Sequence, residues 1–147
     1  QGDLRTTLIR RHEYPTPRVA LGCALRGVAS ACVDVSDGLA ADASRLAAAS
    51  GCGLELDVDR LPLSPALRRV AGAAAPDFAL QGGEDFELLF AVPPERESAH
   101  AEAVTALGKD AGAITRIGRL EAEPGLRLRR AGEVRGAEPG GYDHFRR

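Results

Sequence analysis

The stretch from Ala31 to Asp59 restricts the fold more than any other part of the chain. Ala31 to Val35 is short, apolar and partly β-branched, and it runs into Ser36-Asp37-Gly38, the pattern of a strand that closes in a turn. From Gly38 to Ser50 an Ala-rich run carries Leu39, Ala43, Leu46 and Ala47 at helical spacing and stops at Gly51. Leu54, Leu56 and Val58 then alternate with Glu55, Asp57 and Asp59, the period that puts core residues on one face of a strand and acids on the other. Strand, helix and strand in close succession predict packed layers of sheet and helix, an α/β fold rather than a sandwich or a bundle. The first strand is expected to be buried and the second half-exposed.

The flanking segments extend this alternation. Residues 1–15 are polar and Arg-rich and read as a linker or the remnant of a missing N-terminal domain, leaving 16–147 as the folded C-terminal domain. Thr16 can cap a helix over 17–26, with Pro17 at its first position. Ser64 can cap a short helix from Pro65 to about Ala71, and the Ala/Gly/Pro stretch up to Pro76 reads as a loop. After the Gly82-Gly83 turn, Phe86 to Val92 resumes strand character. Pro93-Pro94 opens an exposed helix to about Leu107, with Glu95 and Glu97 near its positive end. Ile114–Leu120 and Leu126–Arg130 are further expected strands.

Composition excludes several function classes. With 44% hydrophobic residues in 147, the chain can form one core without disulfides or metals, since a domain of this size buries roughly 70% of its unfolded surface. Nineteen basic and 21 acidic residues leave a net charge of −2, without the cationic excess of a nucleic-acid binder. Apolar runs are broken well before the roughly 20 residues of a bilayer span, and no signal segment opens the chain, so a soluble, cytoplasmic protein is expected. Cys23, Cys32 and Cys52 are odd in number and lack C-x-x-C spacing, and read as small buried hydrophobes. The chain starts at Gln1 and contains no Met, and so reads as a piece of something longer.

Three segments can carry chemistry. On an extended strand Asp34 and Ser36 project to one side, and Asp37 falls at the mouth of the following helix. Carboxylate oxygens beside the unpaired N–H groups of a helix suit Mg²⁺ and the phosphates it accompanies. The plainer reading makes Asp37 a helix cap. Asp34 resists it, because an acid in a buried apolar strand needs a partner. The second segment, Gly82-Gly83-Glu84-Asp85-Phe86-Glu87, concentrates negative charge on a tight turn. It can receive a cationic or amino-bearing substrate, or be a solvated glycine turn. The third, Gly141-Tyr142-Asp143-His144-Phe145, offers a ring to stack on a heterocycle or to anchor the C-terminus.

In this order the segments resemble the C-terminal half of the thiamine-monophosphate kinase family. The resemblance runs from Pro15-Thr16-Pro17-Arg18-Val19 through Val33-Asp34-Val35-Ser36-Asp37-Gly38-Leu39-Ala40-Ala41-Asp42 and Leu61-Pro62-Leu63-Ser64. It continues in Gly82-Gly83-Glu84-Asp85-Phe86-Glu87-Leu88-Leu89-Phe90 and the terminal Gly141-Tyr142-Asp143-His144-Phe145. It implies a three-layer α/β/α domain with a mixed sheet, as in aminoimidazole ribonucleotide synthetase-like proteins. It also implies ATP-dependent phosphorylation of thiamine monophosphate to thiamine diphosphate by direct in-line transfer, with no residue acting as nucleophile. Residues 16–147 would contact substrate and nucleotide: Asp34 and Asp37 would be Mg²⁺ ligands, Ser36 a contact to ATP, and Glu84 and Tyr142 contacts to the thiamine moiety. In that family an N-terminal half carries further metal and nucleotide ligands and the homodimer interface, so this chain alone is expected to be inactive. The rival reading is a non-catalytic binding module that kept the fold.

Overall fold

The computed structural model describes residues 3–140. Six helices are present among them: α1 (Leu4–Glu13), α2 (Val19–Ala24), α3 (Leu39–Ala49), α4 (Pro65–Ala71), α5 (Ala75–Gln81) and α6 (Glu97–Leu107). Six strands accompany them: β1 (Ala31–Asp34), β2 (Gly53–Asp57), β3 (Leu88–Ala91), β4 (Gly118–Glu121), β5 (Leu126–Arg130) and β6 (Glu133–Ala137). The α/β class and the mixed sheet follow expectation. In the four-stranded sheet, ordered β4-β2-β5-β6, β2 runs parallel to β5 and antiparallel to β4, and β6 returns antiparallel to β5. β1 and β3 form a separate antiparallel ribbon, with Asp34 opposite Leu88 and Ala31 opposite Ala91.

One core serves both sheets. Leu39, Ala40, Ala43 and Ala47 of α3 pack with Leu54 and Leu56 of β2, Leu126 of β5, Leu80 of α5, and Val35 just beyond β1. The small alanine side chains let α3 lie close to the sheet, so the turn before α3 is set by the best-packed part of the molecule. Ser64 accepts the Leu67 N–H at 3.0 Å and starts α4 as its sequence predicts.

Several expectations are corrected. Residues 4–13, within the segment read as linker or remnant and given no element there, form a helix: Asp3 caps α1 by accepting the Arg5 N–H, although α1 buries no residue. Thr16 does not cap α2, which starts at Val19 behind Arg18, whose guanidinium is committed to Glu87. The segment to Pro76 is not a loop, because Pro76 stands within the first turn of α5, where a missing N–H costs nothing. β1 is not a buried strand; Cys32 and Asp34 on one of its faces are exposed, and among the described residues it pairs with β3 alone. β2 is not half-exposed either. Glu55 is 6% exposed, covered by Arg129 at 2.7 Å and Arg119 at 3.3 Å from the flanking strands. The cysteines are not buried hydrophobes: Cys23 and Cys32 are exposed and Cys52 is partly so.

Candidate functional site

The two acidic motifs meet at one edge of the molecule. Pairing between β1 and β3 continues past both strands: the Val35 N–H donates to the Glu87 carbonyl, and the Phe86 N–H to the Val35 carbonyl, each at 2.9 Å. One step further the Glu84 N–H donates to the Ser36 carbonyl at 2.8 Å. A Cβ on Gly83 would lie 2.5 Å from the Ser36 oxygen, so only glycine permits this approach. Gly140, where the described chain ends, lies against Gln81, with its Cβ position 3.6 Å from the Gln81 side chain. The described chain thus ends beside Gln81, which directly precedes the Gly82-Gly83 turn. Tyr142 itself lies outside the described residues.

Asp34 is exposed at the end of β1 and has no ion-pair partner among the described residues. The argument that burial obliges it to bind a cation therefore fails. Its accessibility nevertheless leaves its oxygens open to a ligand. Ser36 and Asp37 are partly buried in the turn. Asp37 does not cap α3; the N-cap is Gly38, and the Asp37 carboxylate is ion-paired to Arg45.

The side chain that organises the turn is Asp42, the fourth residue of α3 and 4% exposed. One of its oxygens accepts the N–H groups of both Ser36 and Asp37, each at 2.9 Å, and the other accepts from Arg45 at 2.8 Å. The N–H groups of the turn thus satisfy an internal carboxylate rather than a bound anion. Asp42 lay inside the quoted motif without a role. The signal that could have exposed it is an acid three residues after Leu39, on the apolar face of an otherwise Ala-rich helix.

The glutamate turn is strained and braced. Glu84 and Phe86 adopt φ of 63° and 49°, left-handed values costly for residues with a Cβ, and this places strain at the candidate site. Arg18 holds Glu87 in a two-pronged pair at 2.7 and 2.8 Å, and Arg11 of α1 joins it. Burial alone would raise the Glu87 carboxyl, but the hydrogen bonds and charges of Arg18 and Arg11 outweigh it and hold it below the usual glutamate range. Asp85, although much of its side chain meets solvent, is pushed above the usual aspartate range by desolvation and then by the charge of Glu87. The Glu84 carboxylate lies 3.2 Å from His12 Nε2, both side chains being largely exposed.

Mg²⁺ is commonly bound through one or two carboxylates, with waters and substrate phosphates completing six oxygens. Asp34 and Asp37 fit that chemistry in type and number. Among the described residues no group of three or more His, Cys, Asp or Glu side chains is gathered as a metal cage. A cation at Asp37 would take over the position of Arg45, which Asp42 would still retain.

An α/β domain with paired acidic turns at the edge of a two-stranded ribbon defines the class. The chain belongs to the AIR synthase related protein family, C-terminal domain, whose model matches residues 11–131. It is 46% identical over 140 residues to the thiamine-monophosphate kinase of Salmonella typhimurium, covering 94% of this chain and 42% of that protein. The crystal structure of thiamine-monophosphate kinase from Stenotrophomonas maltophilia matches 86% of this chain with a TM-score of 0.76 and 42% identity, over 39% of its own length. The structure of AaThiL complexed with AMPPCP and TMP matches 99% of this chain with a TM-score of 0.78 and 35% identity, over 43% of its own length. The chain thus spans less than half the length of these relatives.

Proposed function

We propose that this chain is the C-terminal portion of a thiamine-monophosphate kinase, which transfers the γ-phosphate of ATP to thiamine monophosphate. The observation that carries the reading is the junction of the two motif turns. The Glu84 N–H on the Ser36 carbonyl joins the turn that bears Ser36 and Asp37 to the turn that bears Glu84. Phosphoryl transfer needs alignment and charge neutralisation more than covalent assistance. Asp34 and Asp37 would hold Mg²⁺, which when bound neutralises charge on the nucleotide phosphates. Ser36 would contact the nucleotide, while Glu84 and Tyr142 would meet the thiamine moiety. The acceptor is a phosphate monoester, whose second pKa is about 6, so it is largely ionised at neutral pH and needs no strong base. The remaining ligands, and the contacts of a homodimer, belong in this reading to the part of the relatives outside the present match. The enzyme is a cytoplasmic one in the same reading; no helix among the described residues is long and apolar enough to cross a membrane.

The test is Asp34→Asn in a protein of the relatives' length that carries this chain, assayed for ADP release with thiamine monophosphate over a range of Mg²⁺ concentrations. Because Asp34 is exposed and unpaired among the described residues, the change should leave the melting temperature in place. Turnover should fall at least tenfold, with a higher Mg²⁺ requirement. Unchanged turnover and Mg²⁺ dependence would remove the metal assignment. The 147 residues alone serve as the control and should show negligible turnover.

A further inference from the structure

We propose that Asp42 is a positioning residue for phosphoryl transfer: from inside α3 it fixes the Ser36-Asp37 backbone, so that both side chains are presented to the nucleotide. This rests on the kinase reading above. A carboxylate only 4% exposed is tolerated where hydrogen bonds replace its water, and Asp42 has them in two N–H groups and Arg45. What matters is whose N–H groups these are. A helix cap serves the donors of its own first turn, whereas Asp42 reaches back past the Gly38 N-cap to the two residues before it. The hydrogen bonds therefore order the preceding turn.

That turn is gripped from both sides. Its N–H groups at Ser36 and Asp37 go inward to Asp42. The carbonyls of Val35 and Ser36 go outward to Phe86 and Glu84 of the neighbouring loop. With successive peptide planes held this way, the backbone of the segment is fixed before any ligand arrives, and Arg45 holds the Asp37 carboxylate as well. Groups fixed before the ligand arrives lose less entropy on binding, and this is how a residue remote from the reacting atoms changes affinity for one substrate.

Amide exchange on the unaltered chain, followed by NMR, makes the first test. Ser36 and Asp37 should exchange at least a hundredfold more slowly than free peptide; exchange at the free rate overturns the proposal without any variant having to fold. Asp42→Asn, nearly identical in shape, should lower that protection at least tenfold. In a protein of the relatives' length, the same variant should raise KM for ATP at least tenfold while KM for thiamine monophosphate stays within twofold. Equal changes in both constants, or a lowered melting temperature with unchanged KM for ATP, overturn the proposal. Asp34→Asn run alongside separates the two ideas. If it impairs ATP use while Asp42→Asn does not, positioning fails and the kinase reading stands; if it has no effect, the metal reading fails and the proposal falls with it.

Discussion

The contact between the two motif turns can be tested through Gly38. Its backbone, at φ 118° and ψ 144°, lies in a region open in practice only to glycine, and a non-glycine residue there costs about 1–3 kcal/mol. Space is closed as well: a Cβ would stand 2.8 Å from the Gln81 carbonyl oxygen and 3.1 Å from its carbon. Those atoms belong to backbone and cannot rotate away, so crowding adds about 1–3 kcal/mol. Gly38→Ala should therefore cost about 4 kcal/mol, out of a typical total of about 5–15 kcal/mol. At about 2–4 °C per kcal/mol for a chain of this size, the melting temperature should drop by about 8–16 °C. Gly51→Ala is the matched control. It also has a positive φ, 69°, but no atom lies within 4 Å of its Cβ position, so it should cost only about 1–2 kcal/mol. Thermal unfolding followed by circular dichroism reads both. If the two variants melt within a degree or two of each other, the Gly38 turn is not packed on Gln81, and the geometry joining the motifs is wrong.

Acid should loosen the brace on the glutamate turn. Glu87 has its pKa lowered in the fold, so its contribution is present above the unfolded glutamate value of about 4.3 and disappears as pH falls through the lower folded value. With Glu87 44% exposed the pair with Arg18 contributes about 1 kcal/mol, and Glu87→Gln should cost that much at pH 7 but little at pH 2; an equal cost at both pH values contradicts the ion-pair account. Ser64→Ala should cost about 1 kcal/mol at any pH, since it removes only the cap on Leu67, and urea denaturation with no shift in midpoint would show the cap to be idle.

Elements whose cause is local were legible in the sequence. α3 and α4 announce themselves by apolar spacing and by Ser64 as a cap, and α6 by a proline pair that opens the 3-10 turn Pro94–Arg96 leading into it. α1 escaped because it buries nothing, and only Asp3 marks its beginning. β6 escaped because Glu133-Val134-Arg135 gains its order by pairing with β5, not from its own pattern. The errors over Glu55 and Asp34 share one origin. Alternation predicts which residues share a face but not what covers that face. Arginines from β4 and β5 cover Glu55, while no described strand covers the Asp34 side of the ribbon. The site residues were legible as motifs. Their adjacency was not, because it rests on two glycines meeting backbone from distant parts of the chain, and Asp42 was hidden because its bonds run backward from a helix.

The acids of this domain fall into those compensated inside the fold and those left to solvent, and in the proposed reading the second kind meets the nucleotide. The inward carboxylates are compensated inside the fold, Asp42 by two N–H groups and Arg45, and Glu55 by Arg119 and Arg129. Asp34 differs, being exposed and without an ion-pair partner among the described residues, and it stands near a second turn that bears Glu84, Asp85 and Glu87. A nucleotide polyphosphate approaching such an edge meets like charge, and a carboxylate there would weaken binding unless a cation lies between the two. Arginine alone does not supply it: Arg11 and Arg18 are held by Glu87, and Arg45 by Asp37 and Asp42. In the proposed kinase reading, a divalent ion held through Asp34 and Asp37 would change repulsion into attraction, and nucleotide affinity would then depend on the metal. In that reading, Asp34→Asn should remove this dependence while leaving the fold intact.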